Sequence, residues 1–184
     1  VMSAAISLPI EMFVKRAISE SINAEQISKR LDIAIRNTGG AAGITRREID
    51  NLGESMLRMS NFTDEAVQSA TASLLKFKGI RGDVFRDTMK TSADLASAMG
   101  MDLQSATQML GRAMITPGQG SQMLRRAGIV FTRPEQEKIK ELGKGTDQEE
   151  AQRYMLKLIN ERVGGAAKEM IEPFTQMRNA FGEV

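Results

Sequence analysis

Apolar residues recur at steps of three and four along almost the whole of this chain, and that feature removes most of the folds open to it. Ile27, Leu31 and Ala34 mark one such face, and Ile49, Leu52, Met56 and Met59 mark the next. Val67, Ala70, Leu74 and Phe77 follow, then Phe85, Met89, Ala93 and Ala96, then Leu103, Ala106, Leu110 and Ala113. This spacing lines one side of an α-helix, and no stretch alternates apolar and polar residues long enough to suggest a strand. The pattern predicts an all-α fold.

Punctuation decides what kind of all-α fold. Helix stops fall at Gly39-Gly40, Gly79 to Gly82, Gly100, Thr116-Pro117-Gly118, Gly128, Gly143 to Gly145 and Gly164-Gly165. A stop every fifteen to twenty residues or so is incompatible with a continuous coiled-coil rod, which needs unbroken heptads. The chain is expected to form a compact multi-helix bundle of about nine or ten short helices with Gly/Pro joints. Helix starts are signalled as well. Asn23 with Gln26, Thr45 with Glu48, Thr132 with Glu135 and Thr146 with Glu149 fit the reciprocal capping box, and Phe62 before Thr63 stands at staple distance from Val67.

Composition narrows function more than fold. There is no Cys and no His, which removes thiol nucleophiles, imidazole or thiolate metal sites and the Ser-His-Asp arrangement. No catalytic, metal-binding or cofactor-binding residues are therefore assigned. The chain carries 25 Lys and Arg against 23 Asp and Glu, a net charge of +2, with no basic block of the kind a phosphate-seeking surface needs. Thirteen Met with seven Phe, one Tyr and no Trp describe a core of flexible packing. Met99, Met101, Met109, Met114 and Met123 read first as core filler and second as a yielding contact surface.

Three sharper readings compete with this bland one. Gly79-Ile80-Arg81-Gly82 and Gly118-Gln119-Gly120 resemble phosphate loops, but neither precedes a Lys-Ser/Thr pair and no strand leads into them. Paired acids can hydrolyse sugars, but Glu48, Glu135 and Glu149 sit in capping positions and Glu149-Glu150 on a solvated face. Residues 24–31, a glycine turn and Thr45-Arg46-Arg47 imitate a helix-turn-helix-like DNA-binding module. The connection there is longer than the usual three or four residues or so, and the local charge is balanced. DNA binding is the alternative to a protein-binding role.

From about Ile22 onward the sequence resembles the folded helical segment of bacteriophage and prophage tail tape-measure proteins. The resemblance runs through Gln26-Ile27, Arg30-Leu31, Asn61-Phe62-Thr63-Asp64-Glu65-Ala66-Val67, Leu74-Leu75-Lys76-Phe77 and Gly82-Asp83-Val84-Phe85. It continues through Asp94 to Leu103 and Gly111-Arg112-Ala113. Its most specific stretch is Leu124-Arg125-Arg126-Ala127-Gly128-Ile129-Val130-Phe131-Thr132, and it ends on Met177-Arg178-Asn179-Ala180-Phe181-Gly182. Such a resemblance implies a structural, non-enzymatic component of the virion tail that occupies the tube lumen after assembly in the host cytoplasm. Its implied partners are the tail tube protein, tail assembly chaperones, tail tip or baseplate proteins and other copies of itself, with no specific nucleic acid. Since a helix advances about 1.5 Å per residue, chain length can become tube length. A chain as punctuated as this one is expected to be a folded module of such a protein rather than its rod.

The run Val1 to Val14 is apolar but carries Pro9 and Glu11 and is too short for a membrane span. Residues 1–21 are expected to be an N-terminal apolar lead-in continuing from an upstream region, and 22–184 the module, with a sub-boundary near 116–121. At the other end Met170, Phe174, Met177 and Phe181 fall at steps of four, three and four, a narrow seam of the coiled-coil kind. That seam closes the chain's own bundle, pairs with other copies or continues into a rod, and it is the candidate protein-contact site.

Overall fold

The helix starts written into the sequence become helix starts in three dimensions where a side chain caps them. In the computed structural model, which describes residues 4–38, 43–145 and 148–170, the Thr45 N–H donates to Glu48 Oε2 at 2.8 Å and the Glu48 N–H to Thr45 Oγ1 at 3.2 Å. This box opens α2 (Arg46–Met59). Thr63 accepts from the Ala66 N–H and opens α3 (Asp64–Leu74), with buried Val67 and half-buried Phe62 at the core edge as the staple requires. Thr132 and Glu135 form the second box, at the head of α7 (Arg133–Leu142). One cap was not anticipated: Asp102 accepts from the Ser105 N–H at 2.8 Å and opens α5 (Leu103–Ile115).

One expected box does not open a helix, and another falls partly outside the described residues. Asn23 and Gln26 lie inside α1 (Ala4–Thr38), which runs through them without a break. No Gly or Pro stands between Ile10 and Thr38, so the helix has no reason to restart, and Asn-x-x-Gln in mid-helix is only a pair of polar residues. Residues 24–31 of the helix-turn-helix reading lie in this same helix. Thr146 lies outside the described residues, and α8 (Glu149–Val163) starts after Gln148 without a side-chain cap. At 35 residues α1 is far longer than the short helices expected, about 52 Å at 1.5 Å per residue.

The remaining elements are α4 (Gly82–Met99), α6 (Pro117–Arg126) and α9 (Ala166–Glu169), giving nine helices and no strand among the described residues. Gly100, at φ 63°, ends α4 in the left-handed conformation that glycine adopts without strain. The bundle is built around α4 and α5. α5 packs on α3, α4 and α6, while α4 also meets α8 and α9, and α1 lies against α3. Phe85, Leu110, Met89, Met114 and Met155 are all fully buried.

α4 is buried more widely than its apolar stripe predicts, taking in Thr88, Thr91 and Ser92. Each hydroxyl is satisfied. Thr88 donates to the Val84 carbonyl at 2.6 Å, Ser92 to the Thr88 carbonyl at 2.7 Å, and Thr91 to Asn160 Oδ1 on α8 at 2.8 Å. At the α5–α6 joint, where a sub-boundary was expected, the helices approach so closely that a Cβ on Gly120 would stand 2.1 Å from the Ala113 carbonyl oxygen.

Candidate functional site

Among the described residues, the surface the helices leave uncovered is where a partner could make contact. A partly apolar groove lies between the second half of α1 and the second half of α3. Ala34, Ala72 and Leu75 contribute apolar lining, Ile27 and Ile33 contribute from α1, and the space between them is about 370 Å³. Gln104 Nε2 of α5 donates to Ser73 Oγ at 3.2 Å and ties a third helix to its edge. Arg30, Lys76 and Lys78 line it as well, and no Asp or Glu does. None of the three cations has an ion-pair partner among the described residues, whereas Arg46, Arg86, Arg153 and Arg162 are all paired.

Ile33 is 49% exposed and Ile22 is 51% exposed on the same helix. Eleven residues at about 100° each return almost to the starting direction, so the two point the same way to within about 20°. The two stand about 16 Å apart along α1, with Gln26 and the exposed Glu25–Lys29 ion pair between them.

Only the first residue of the predicted C-terminal seam falls within the described residues. Met170 is 56% exposed, directly after α9, and its carbonyl accepts from Asn61 Nδ2 at 2.8 Å. Phe174, Met177 and Phe181 lie outside the described residues. α9 itself is fixed to α4, with Ala167 buried and its N–H donating to Asp94 Oδ1 at 3.0 Å.

Of the methionines read as a candidate surface, Met114 is fully buried and Met99, Met101 and Met109 pack partly buried against the core. Met123 alone of the five is exposed, at 37%. The core reading holds for the other four. The groove could not be found this way, because its two walls lie some forty residues apart in sequence and neither looks unusual alone.

Of the carboxylates weighed as catalytic pairs, Glu48, Glu135 and Glu149 are engaged structurally. Glu48 is held below the usual carboxylate range by the Thr45 N–H and hydroxyl, then by Arg86 at 3.0 Å. For Glu135 burial pushes upward, but the Thr132 N–H and the Arg162 guanidinium at 2.8 Å outweigh it and its pKa is lowered. Arg162 in turn donates to the Val130 and Leu158 carbonyls and stands 5.3 Å over the Phe131 ring. Asp83 is lowered by hydrogen bonding to Arg86, and Asp102 by the Ser105 hydroxyl and N–H. Glu149 binds Arg153 at 2.6 Å. Among the described residues no group of three or more His, Cys, Asp or Glu is placed to hold a metal ion. No helix among them is long and apolar enough to cross a membrane.

The glycines weighed as phosphate loops also have structural duties. The Gly79 carbonyl accepts from Gln152 Nε2 at 3.0 Å, and the same amide reaches the Met114 carbonyl at 3.0 Å, so one buried side chain joins three segments. Gly120 lets α6 lie on α5. Arg125 and Arg126 occupy the last turn of α6, where cations favour the helix dipole.

Against this geometry the comparison with known families is decisive. The model of the prophage tail length tape measure protein matches residues 20–140. The chain belongs to that family. The matched span begins within α1, includes both walls of the groove and ends in α7. Tape measure proteins are structural components of the phage tail. No curated protein and no solved structure matches the chain.

Proposed function

We propose that this chain is a folded, non-catalytic module of a tape measure protein, which helps to set tail-tube length by organising partners rather than by measuring. The family match across 20–140 carries this reading. The fold supports it: a bundle of helices that turn back on one another contributes its folded diameter to a tube, not about 1.5 Å for each residue. In this reading the module engages the tail tube protein, the assembly chaperones and the tail tip or baseplate proteins. It lies in the tube lumen of the finished tail after assembly in the host cytoplasm. Contact with other copies is assigned to the seam of Met170, Phe174, Met177 and Phe181.

Protease protection tests the placement. In intact tails purified from the parent prophage, peptides from residues 20–170 should resist digestion and become cleavable once the tube is dissociated. Digestion of this span in intact tails would overturn it.

A further inference from the structure

The groove between α1 and α3 has a chemical character of its own. Its lining is apolar between Ile27, Ala34, Ala72 and Leu75, and among the described residues three cations without an ion pair, Arg30, Lys76 and Lys78, line it with no carboxylate. We propose that it seats an acidic amphipathic helix of a partner protein, lying alongside α1 and α3. This names the partner chemistry for the scaffolding reading above and rests on it.

Shape and charge each select the occupant. A trough between two helices accepts a third helix through side chains at i, i+4 and i+7, and about 370 Å³ is room for such anchors but not for a folded surface. Exposed Ile33, at the edge of the trough, offers one further apolar contact. Like charges facing one another are unfavourable, so a basic helix is rejected, whereas carboxylates flanking the anchors meet Arg30, Lys76 and Lys78. Arg86 and Arg153 hold internal carboxylates, whereas these three cations have no ion-pair partner among the described residues.

The test uses the full chain and two labelled peptides of about eighteen residues, long enough to form several helical turns. One carries Leu at i, i+4, i+7 and i+11 with Glu elsewhere, and the other has Lys in place of every Glu. Fluorescence anisotropy should show the Glu peptide binding and the Lys peptide not. The combined variant Arg30→Glu, Lys76→Glu, Lys78→Glu should weaken the Glu peptide by roughly tenfold or more and admit the Lys peptide, with its melting curve unchanged because all three side chains are exposed. Ala72→Phe, filling the trough, should weaken both variants' binding.

Equal binding of both peptides by the wild type, or indifference to the charge reversal, would overturn the proposal. So would a wild-type dimer in light scattering that the charge reversal dissociates, since the groove would then belong to a second copy. Binding that appears only in Phe174→Glu with Phe181→Glu would also overturn it, because the chain's own C-terminal segment would be the occupant. These outcomes leave the tail placement untouched, since protease protection is measured independently.

Discussion

The two glycines Gly53 and Gly120 allow the same substitution to be predicted with opposite signs. Both lie in helices, neither at positive φ, so Ala at either site gains up to about 1 kcal/mol of helix propensity. At Gly53 an added Cβ meets Val67 Cγ1 at 3.8 Å, which is ordinary contact. At Gly120 it would stand 2.1 Å from the Ala113 carbonyl oxygen, where a comfortable carbon–oxygen approach is about 3.3 Å or more. The obstacle is backbone and cannot rotate away, so α6 must retreat by about 1 Å and loosen its packing around buried Ala113 and Leu124. Overpacking of this kind costs about 1–3 kcal/mol or more and exceeds the propensity gain. Gly120→Ala should therefore destabilise by about 2 kcal/mol and lower the melting temperature by roughly 4–8 °C, while Gly53→Ala should raise it by about 2 °C. Thermal unfolding followed by far-UV circular dichroism reads both. A Gly120→Ala protein as stable as the wild type would refute the close-approach argument.

Gln152→Leu should cost about 2 kcal/mol or more in urea unfolding, because it strands the Gly79 and Met114 carbonyls that the buried amide now serves. Glu48, Asp83, Asp102 and Glu135 all have lowered pKa values in the fold. Their contribution is complete above the unfolded values near about 4 and is lost as pH falls through the depressed folded values, so urea midpoints should be level above about pH 5 and decline below it. A decline beginning near neutrality would contradict that assignment. A double-mutant cycle on Arg162→Ala and Glu135→Ala should give a coupling of about 1 kcal/mol or less, since the pair is only partly shielded from solvent. A chelator should leave the helical circular dichroism spectrum unchanged, and loss of signal would reveal a structural metal.

What the sequence reveals and what it hides divide along the reach of the interactions. Thr45 with Glu48, Thr63 with Phe62 and Val67, and Thr132 with Glu135 are local, so three or four residues suffice to read them and the helix starts follow. Asn23 with Gln26 has the same local form, yet a cap needs the preceding chain to be non-helical, and the continuous helix of α1 denies it that. The apolar stripe of α4 shows which residues face the core, but not that Thr88, Thr91 and Ser92 join them. That depends on how closely α8 and α9 wrap the other side. Gly120 reads locally as a turn or a phosphate loop; only the position of Ala113 shows it to be a contact between helices. The groove is the extreme case, since neither Ile27 to Ala34 nor Ala72 to Leu75 predicts the other's position.

The central claim is that this span is a folded module of the tape measure and not its ruler, and deletion in the parent prophage addresses it most directly. Removing residues 62–170, followed by electron microscopy of the particles, should leave no normal tails, because the chain would lose the bundle proposed to engage its partners. If the span were instead part of the ruler, the tails would assemble and be shorter by about 160 Å, at 1.5 Å for each residue removed. Normal tails shortened by that amount would contradict the account.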